Sequence, residues 1–148
     1  MKSTSNAFAK VGASSYALWG GLNILAGVML LGQARAGELK DYFYNVAPNI
    51  NTDSLINGYD AVGAVAQFHA YNLVWIGLVS LFVAVRFNWK NERVGFWINL
   101  ILGGFTVLGF SLFLFLPDKM PITSGMLIPL LWLVGLVFTH IGLRIKRN

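Results

Sequence analysis

Hydrophobic positions run in four long blocks, at residues 11–33, 67–87, 94–116 and 124–143, with polar residues gathered between them. Each block has about the 20 apolar-rich residues that one helix needs to cross a bilayer. The pattern predicts an all-α polytopic membrane protein. Its expected form is an antiparallel four-transmembrane-helix bundle that makes residues 1–148 a single domain. Two connections are short enough to force hairpins: Asn88-Trp89-Lys90-Asn91-Glu92 and Pro117-Asp118-Lys119-Met120-Pro121. Proline at both edges of the second stops one helix and pre-shapes the start of the next.

The connection at residues 34–66 breaks this economy, since helix–helix connections in bundles usually take about 2–8 residues. It contains Asp41-Tyr42-Phe43-Tyr44 and then Pro48-Asn49-Ile50-Asn51, too aromatic a run for a flexible linker. An ordered loop folded over the outer mouth of the bundle is expected. Asp53 or Asp60 is placed to cap the helix that follows.

Inside the blocks, polar and small residues recur at helical spacing. The first has Gly12, Tyr16, Trp19, Gly20, Asn23 and Gly27; the third has Gly95, Asn99, Gly103 and Thr106; the fourth has Trp132, Gly135, Thr139 and Gly142. Small residues and hydrogen bonds replace the hydrophobic effect between helices in hydrocarbon. These faces are therefore expected to point inward, with Asn23 and Asn99 bridging neighbouring helices. Gly77 and the phenylalanines Phe110, Phe113 and Phe115 are expected to face partner helices or lipid.

The second block carries the most distinctive stripe: His69, Asn72 and Trp75, each three residues apart, with Arg86 farther along. An ionisable residue at membrane depth is a functional hypothesis by default. The candidate ligand-binding set is His69, Asn72 and Trp75 with Asn23 and Trp19 from the first block. It would hold an apolar small molecule such as a lipid, sterol or quinone near the outer leaflet. His69 would exchange a proton or hydrogen-bond the ligand, because imidazole titrates near neutrality. The plainer alternative is a histidine that reaches interfacial water beside an asparagine that bonds a neighbouring helix. His140, the second histidine, falls late in its block whereas His69 falls early. The two blocks run in the same direction, so the imidazoles differ in depth by most of the bilayer. They cannot share a metal ion or a haem, and no metal or cofactor is expected. His140 is expected close to Asn99 and Thr139 as a packing detail.

Composition agrees with this solvent. The chain is 56% hydrophobic and 11% charged, against about 25% charged in a soluble domain, and its mean hydropathy is +0.62. It has no cysteine, which excludes disulfides, thiolate catalysis and thiolate-bound metals. The net charge of +5 could suggest nucleic acid, but the placement of the basic residues argues otherwise. Lys2, Lys10, Arg86, Lys90, Arg93, Arg144, Lys146 and Arg147 flank one end of the blocks; Arg35, Lys40 and Lys119 flank the other, diluted by acids. This bias is an orientation signal. It predicts cytoplasmic N and C termini in a bacterial inner membrane or its equivalent, with no nucleic-acid partner. Lys2 and Lys10 ahead of an apolar run, with Ala34-Arg35-Ala36 after it, resemble a signal peptide. The run exceeds a usual signal core, so a retained helix is expected.

No acid lies inside any block, and no nucleophile elbow, phosphate loop or dinucleotide fingerprint is present. The chain lacks the embedded acid of the small multidrug exporters, the Cys-x-x-Cys of vitamin K epoxide reductases and the cysteine pair of claudins. The first expectation is a non-enzymatic subunit or accessory factor of a membrane complex, as a homo-oligomer or hetero-complex. The lipid-, sterol- or quinone-binding protein comes second, and an oligomeric channel or transporter third.

Overall fold

The computed structural model describes residues 2–51 and 59–147. The described residues form six helices and no strand. These are α1 (Lys2–Ala36), α2 (Leu39–Val46), α3 (Tyr59–Arg86), α4 (Arg93–Phe110), α5 (Ile122–Gly125) and α6 (Leu127–Arg147). Four stretches are long and apolar enough to cross a membrane: Thr4–Ala36, Ala61–Lys90, Arg93–Phe115 and Leu127–Lys146. Each coincides with most or all of one of the four blocks.

Local backbone chemistry sets the ends. Gly37 takes a left-handed φ of 80°, and the Glu38 N–H reaches the Gln33 carbonyl at 2.9 Å. This Schellman closure ends α1 where a Cβ would be strained. Asn88–Lys90 form a 3₁₀ turn, closed by Asn91 at φ 55°. Beyond Phe110, α4 runs on through a π turn at Ser111–Phe115, where the Leu116 N–H meets the Ser111 carbonyl at 2.9 Å. Asp118 at φ 53° then lets the Lys119 N–H reach the Leu114 carbonyl at 2.8 Å.

The first helix is the hub, packed along α3 on one side and α6 on the other. A Cβ on Gly20 would lie 2.8 Å from the Gly77 carbonyl, and one on Gly27 would lie 2.7 Å from the Ala70 carbonyl. Backbone therefore meets backbone along the α1–α3 seam, with pairings that run in opposite directions. Gly77 is buried in this seam and does not face outward as expected; Gly20 needs it as a bare neighbour. The α1–α6 pairings are also opposed, with Ser5 against Gly142 and Tyr16 against Gly135. The fourth helix leans on α6, where Phe96 and His140 rings stand 5.6 Å apart. It is the least covered. Within the apolar window of each stretch, 11% of its residues are buried, against 33% for α1.

The long connection folds over one end of this body. Leu39 of α2 is buried with Leu30, Ala34, Ala66 and Ala70, and Tyr42 and Phe43 pack against the cluster. Burial raises the Tyr42 phenol above its ordinary pKa. Asn49 Nδ2 donates to the Asp118 carbonyl at 2.8 Å, tying the connection to the α4–α5 turn. The connection is shorter than residues 34–66, because α1 and α3 extend into it. Asp60 stands inside the first turn of α3, not ahead of it, and Asp53 lies outside the described residues.

Candidate functional site

The five residues singled out by pattern separate into two groups. Trp19 and Asn23 are buried in α1. Asn23 Nδ2 donates to the Trp19 carbonyl at 2.8 Å, so this bond stays within α1 instead of bridging helices as expected. The indole N–H of Trp19 is buried without a partner. His69 and Trp75 are exposed on α3, and Asn72 is half-buried between them. Trp75 Nε1 donates to Asn72 Oδ1 at 3.0 Å. The α3 residues that meet α1 include Ala70, Leu73, Val74, Gly77 and Leu81, a different face from Trp75. The two groups are thus on different faces, and none of the five lines the cleft between α4 and α6 at Arg93 and Arg144 or the hollow beside Arg86 and Lys90.

The structure gathers polar side chains elsewhere, at the basic end. Ser5 Oγ donates to the Gly142 carbonyl at 2.8 Å. Asn91 Nδ2 donates to Ser5 Oγ at 2.8 Å and to the Gly142 carbonyl at 2.9 Å. Lys146 Nζ donates to the Asn91 carbonyl at 3.0 Å. One asparagine in the α3–α4 turn therefore clips the start of α1 to the end of α6.

A second knot lies deeper. Asn99 Nδ2 donates to Asn88 Oδ1 at 3.0 Å, and Trp132 Nε1 donates to the Asn99 carbonyl at 3.0 Å. The Ser80 hydroxyl sits 3.2 Å from the Tyr16 carbonyl and 3.4 Å from Asn99 Oδ1. Asn99 thus joins α3, α4, α6 and the 3₁₀ turn, which is the bridging expected of it. Its expected closeness to His140 is not what holds it; His140 is exposed and lies against Phe96 instead.

Sequence reasoning missed Ser5, Ser80, Asn88 and Asn91 as interior residues, although all four are buried. Asn88 and Asn91 sit in a turn whose composition reads as solvated. The available signal was the smallness of their neighbours: a Cβ on Gly95 would collide with the Asn88 carboxamide.

The chemistry of this interior is restricted. Its members are amides, hydroxyls and indoles, with no carboxylate, thiol or imidazole buried among the described residues. Tyr16 Oη, Asn88 Nδ2, Asn91 Oδ1 and Thr139 Oγ1 are buried without protein partners, places where internal water would complete the bonding. No group of three or more histidines and acids that could hold a metal occurs among the described residues. The arrangement can hold helices in register, but it offers no acid–base pair.

Comparison with known proteins returned no match: no family model, curated protein or solved structure resembles this chain at a significant level.

Proposed function

We propose that this chain is an integral membrane protein acting as a non-enzymatic subunit or accessory factor of a membrane complex. Its four long helices form an antiparallel transmembrane bundle, with both termini on the cytoplasmic side of a bacterial inner membrane or its equivalent. The opposed helix pairings and the basic end support that arrangement. The basic end carries eight of the eleven lysines and arginines, as cytoplasmic flanks do.

The observation that carries the role is the outer face of α3. Phe68, Tyr71, Trp75, Leu78, Phe82 and Val85 are all exposed, and they are spaced by alternating threes and fours. That spacing is the one a helix uses when it packs knobs into the holes of another helix. Lipid tails need no such register. The interior meanwhile is closed by glycine contacts, and Asn91 and Asn99 bond within it. The partner is a second copy of the chain or a different membrane protein, docked along this seam.

The test uses the absence of cysteine. A single cysteine at Leu78, in the chain held in native membranes, is treated with a thiol-to-thiol or thiol-to-amine crosslinker. A covalent adduct, either the dimer or a larger species, is expected, and a cysteine at Leu25 on the exposed side of α1 should give much less. A monomer at native lipid levels with no adduct at Leu78 would count decisively against the seam.

A further inference from the structure

We propose that the cleft between the start of α4 and the end of α6 binds the headgroup of an anionic phospholipid. The inference rests on the membrane reading above. The cleft encloses about 240 Å³ and is lined by Arg93, Phe96, Trp97, His140, Leu143 and Arg144.

The lining is graded. Arg93 opens α4, and Phe96 and Trp97 follow one turn in; Arg144 lies near the end of α6, with His140 one turn in. Both helices therefore place a guanidinium at the rim and rings about 5 Å deeper. Neither arginine has an ion-pair partner among the described residues. The acid nearest in sequence, Glu92, faces Arg86 at 3.8 Å. Two guanidinium forks, neither paired to an acid among the described residues, converge on one cleft and suit a phosphodiester, which they can grip through paired N–H donors. The Trp97 indole and the His140 imidazole sit where the glycerol esters of a lipid would lie.

An apolar track leads out of the cleft. Trp97, Ile101, Phe105 and Leu108 are exposed on one face of α4. From Trp97 to Leu108 the helix rises about 16 Å, and one leaflet of hydrocarbon is about 15 Å. Head and tail requirements of a single phospholipid are thus met in order along one helix. The basic end is also where anionic lipids would meet cytoplasmic flanks.

The molecule contains its own contrast. A second, more open hollow at the same end is lined by Leu81, Phe82, Val85, Arg86 and Lys90. There Arg86 is engaged by Glu92 at 3.8 Å and lies over the Phe87 ring at 5.3 Å, so its charge is partly spent within the protein.

The experiment titrates the delipidated full chain with phosphatidylglycerol or phosphatidylcholine and counts bound lipids by native mass spectrometry. We expect at least a tenfold preference for phosphatidylglycerol in the first binding event, about 1.4 kcal/mol. The preference should fall below threefold in R93Q/R144Q and persist in R86Q/K90Q. Inorganic phosphate at millimolar concentration should not displace the lipid. Equal binding of the two lipids by the unmodified chain overturns the proposal, as does loss of preference in R86Q/K90Q alone. Displacement by inorganic phosphate also overturns it, because the site would then recognise the free anion. Should R93Q/R144Q not fold, bromine-labelled phosphatidylglycerol replaces it. Stronger quenching than by bromine-labelled phosphatidylcholine, lost in W97F, supports the site, and equal quenching by the two refutes it. A chain recovered in the soluble fraction instead of the membrane would overturn the membrane reading itself, a failure distinct from equal lipid binding.

Discussion

Among single residues, Asn99 and the Gly20–Gly77 contact hold the most. Among the described residues Asn99 alone bonds the Asn88 carboxamide, whose Nδ2 is already buried and unpaired. N99L should therefore destabilise the chain by about 1–3 kcal/mol, read as a lower midpoint of unfolding in mixed micelles. N23L, which removes a bond confined to α1, should cost less than half as much. G77A should cost about 1–3 kcal/mol, since its methyl would press on the Gly20 carbonyl. G21A, with nothing near the added carbon, should be neutral or stabilising by up to about 1 kcal/mol. If the two glycine variants melt alike, close approach of backbones is not what holds α1 to α3. At this scale sequence was a partial guide. Periodicity found the inward faces of α1, α4 and α6 because small residues recur there. It could not tell which side of α3 would be covered, so His69 and Trp75 were grouped with Trp19 although they sit on another side.

Elements divide by what closes them. The α2 segment is held to the loop end by Leu39 and the Tyr42–Phe43 pair, whose rings meet edge to face at 5.6 Å. L39A should cost about 2–4 kcal/mol locally and raise hydrogen exchange across Glu38–Val46 without changing that of α6. Unchanged exchange in Glu38–Val46 would show that α2 is not anchored by this side chain. The helical blocks were legible because composition alone demands an apolar solvent. The existence of α2 was less so: it is only eight residues long, and its apolar side chains gain their cover only when α1 and α3 converge. The polar clip through Asn91 was illegible for a related reason. Its burial depends on the α3–α4 turn meeting the start of α1 and the end of α6, which no local window contains.

For the molecule as a whole, the cysteine-free chain makes topology measurable. A cysteine at Lys90, which is exposed, should react with an impermeant thiol reagent only from the side that holds the termini. One at Lys40 should react only from the opposite side. Reversal of either result overturns the proposed orientation. Asn91 is the wrong reporter, since a cysteine there would remove both Nδ2 bonds that tie the turn to Ser5 and Gly142.

The central placement of α1 has a consequence for how the protein is made. Its two long seams belong to α3 and α6, and α6 begins only at Leu127, with 90 residues between it and the end of α1 at Ala36. Until that helix is made, Ser5 and Tyr16, both buried in the finished protein, have no α6 to cover them. Synthesis thus leaves the polar side of the first helix open for most of its duration. During that interval it would need shelter from the insertion machinery or from a neighbouring protein.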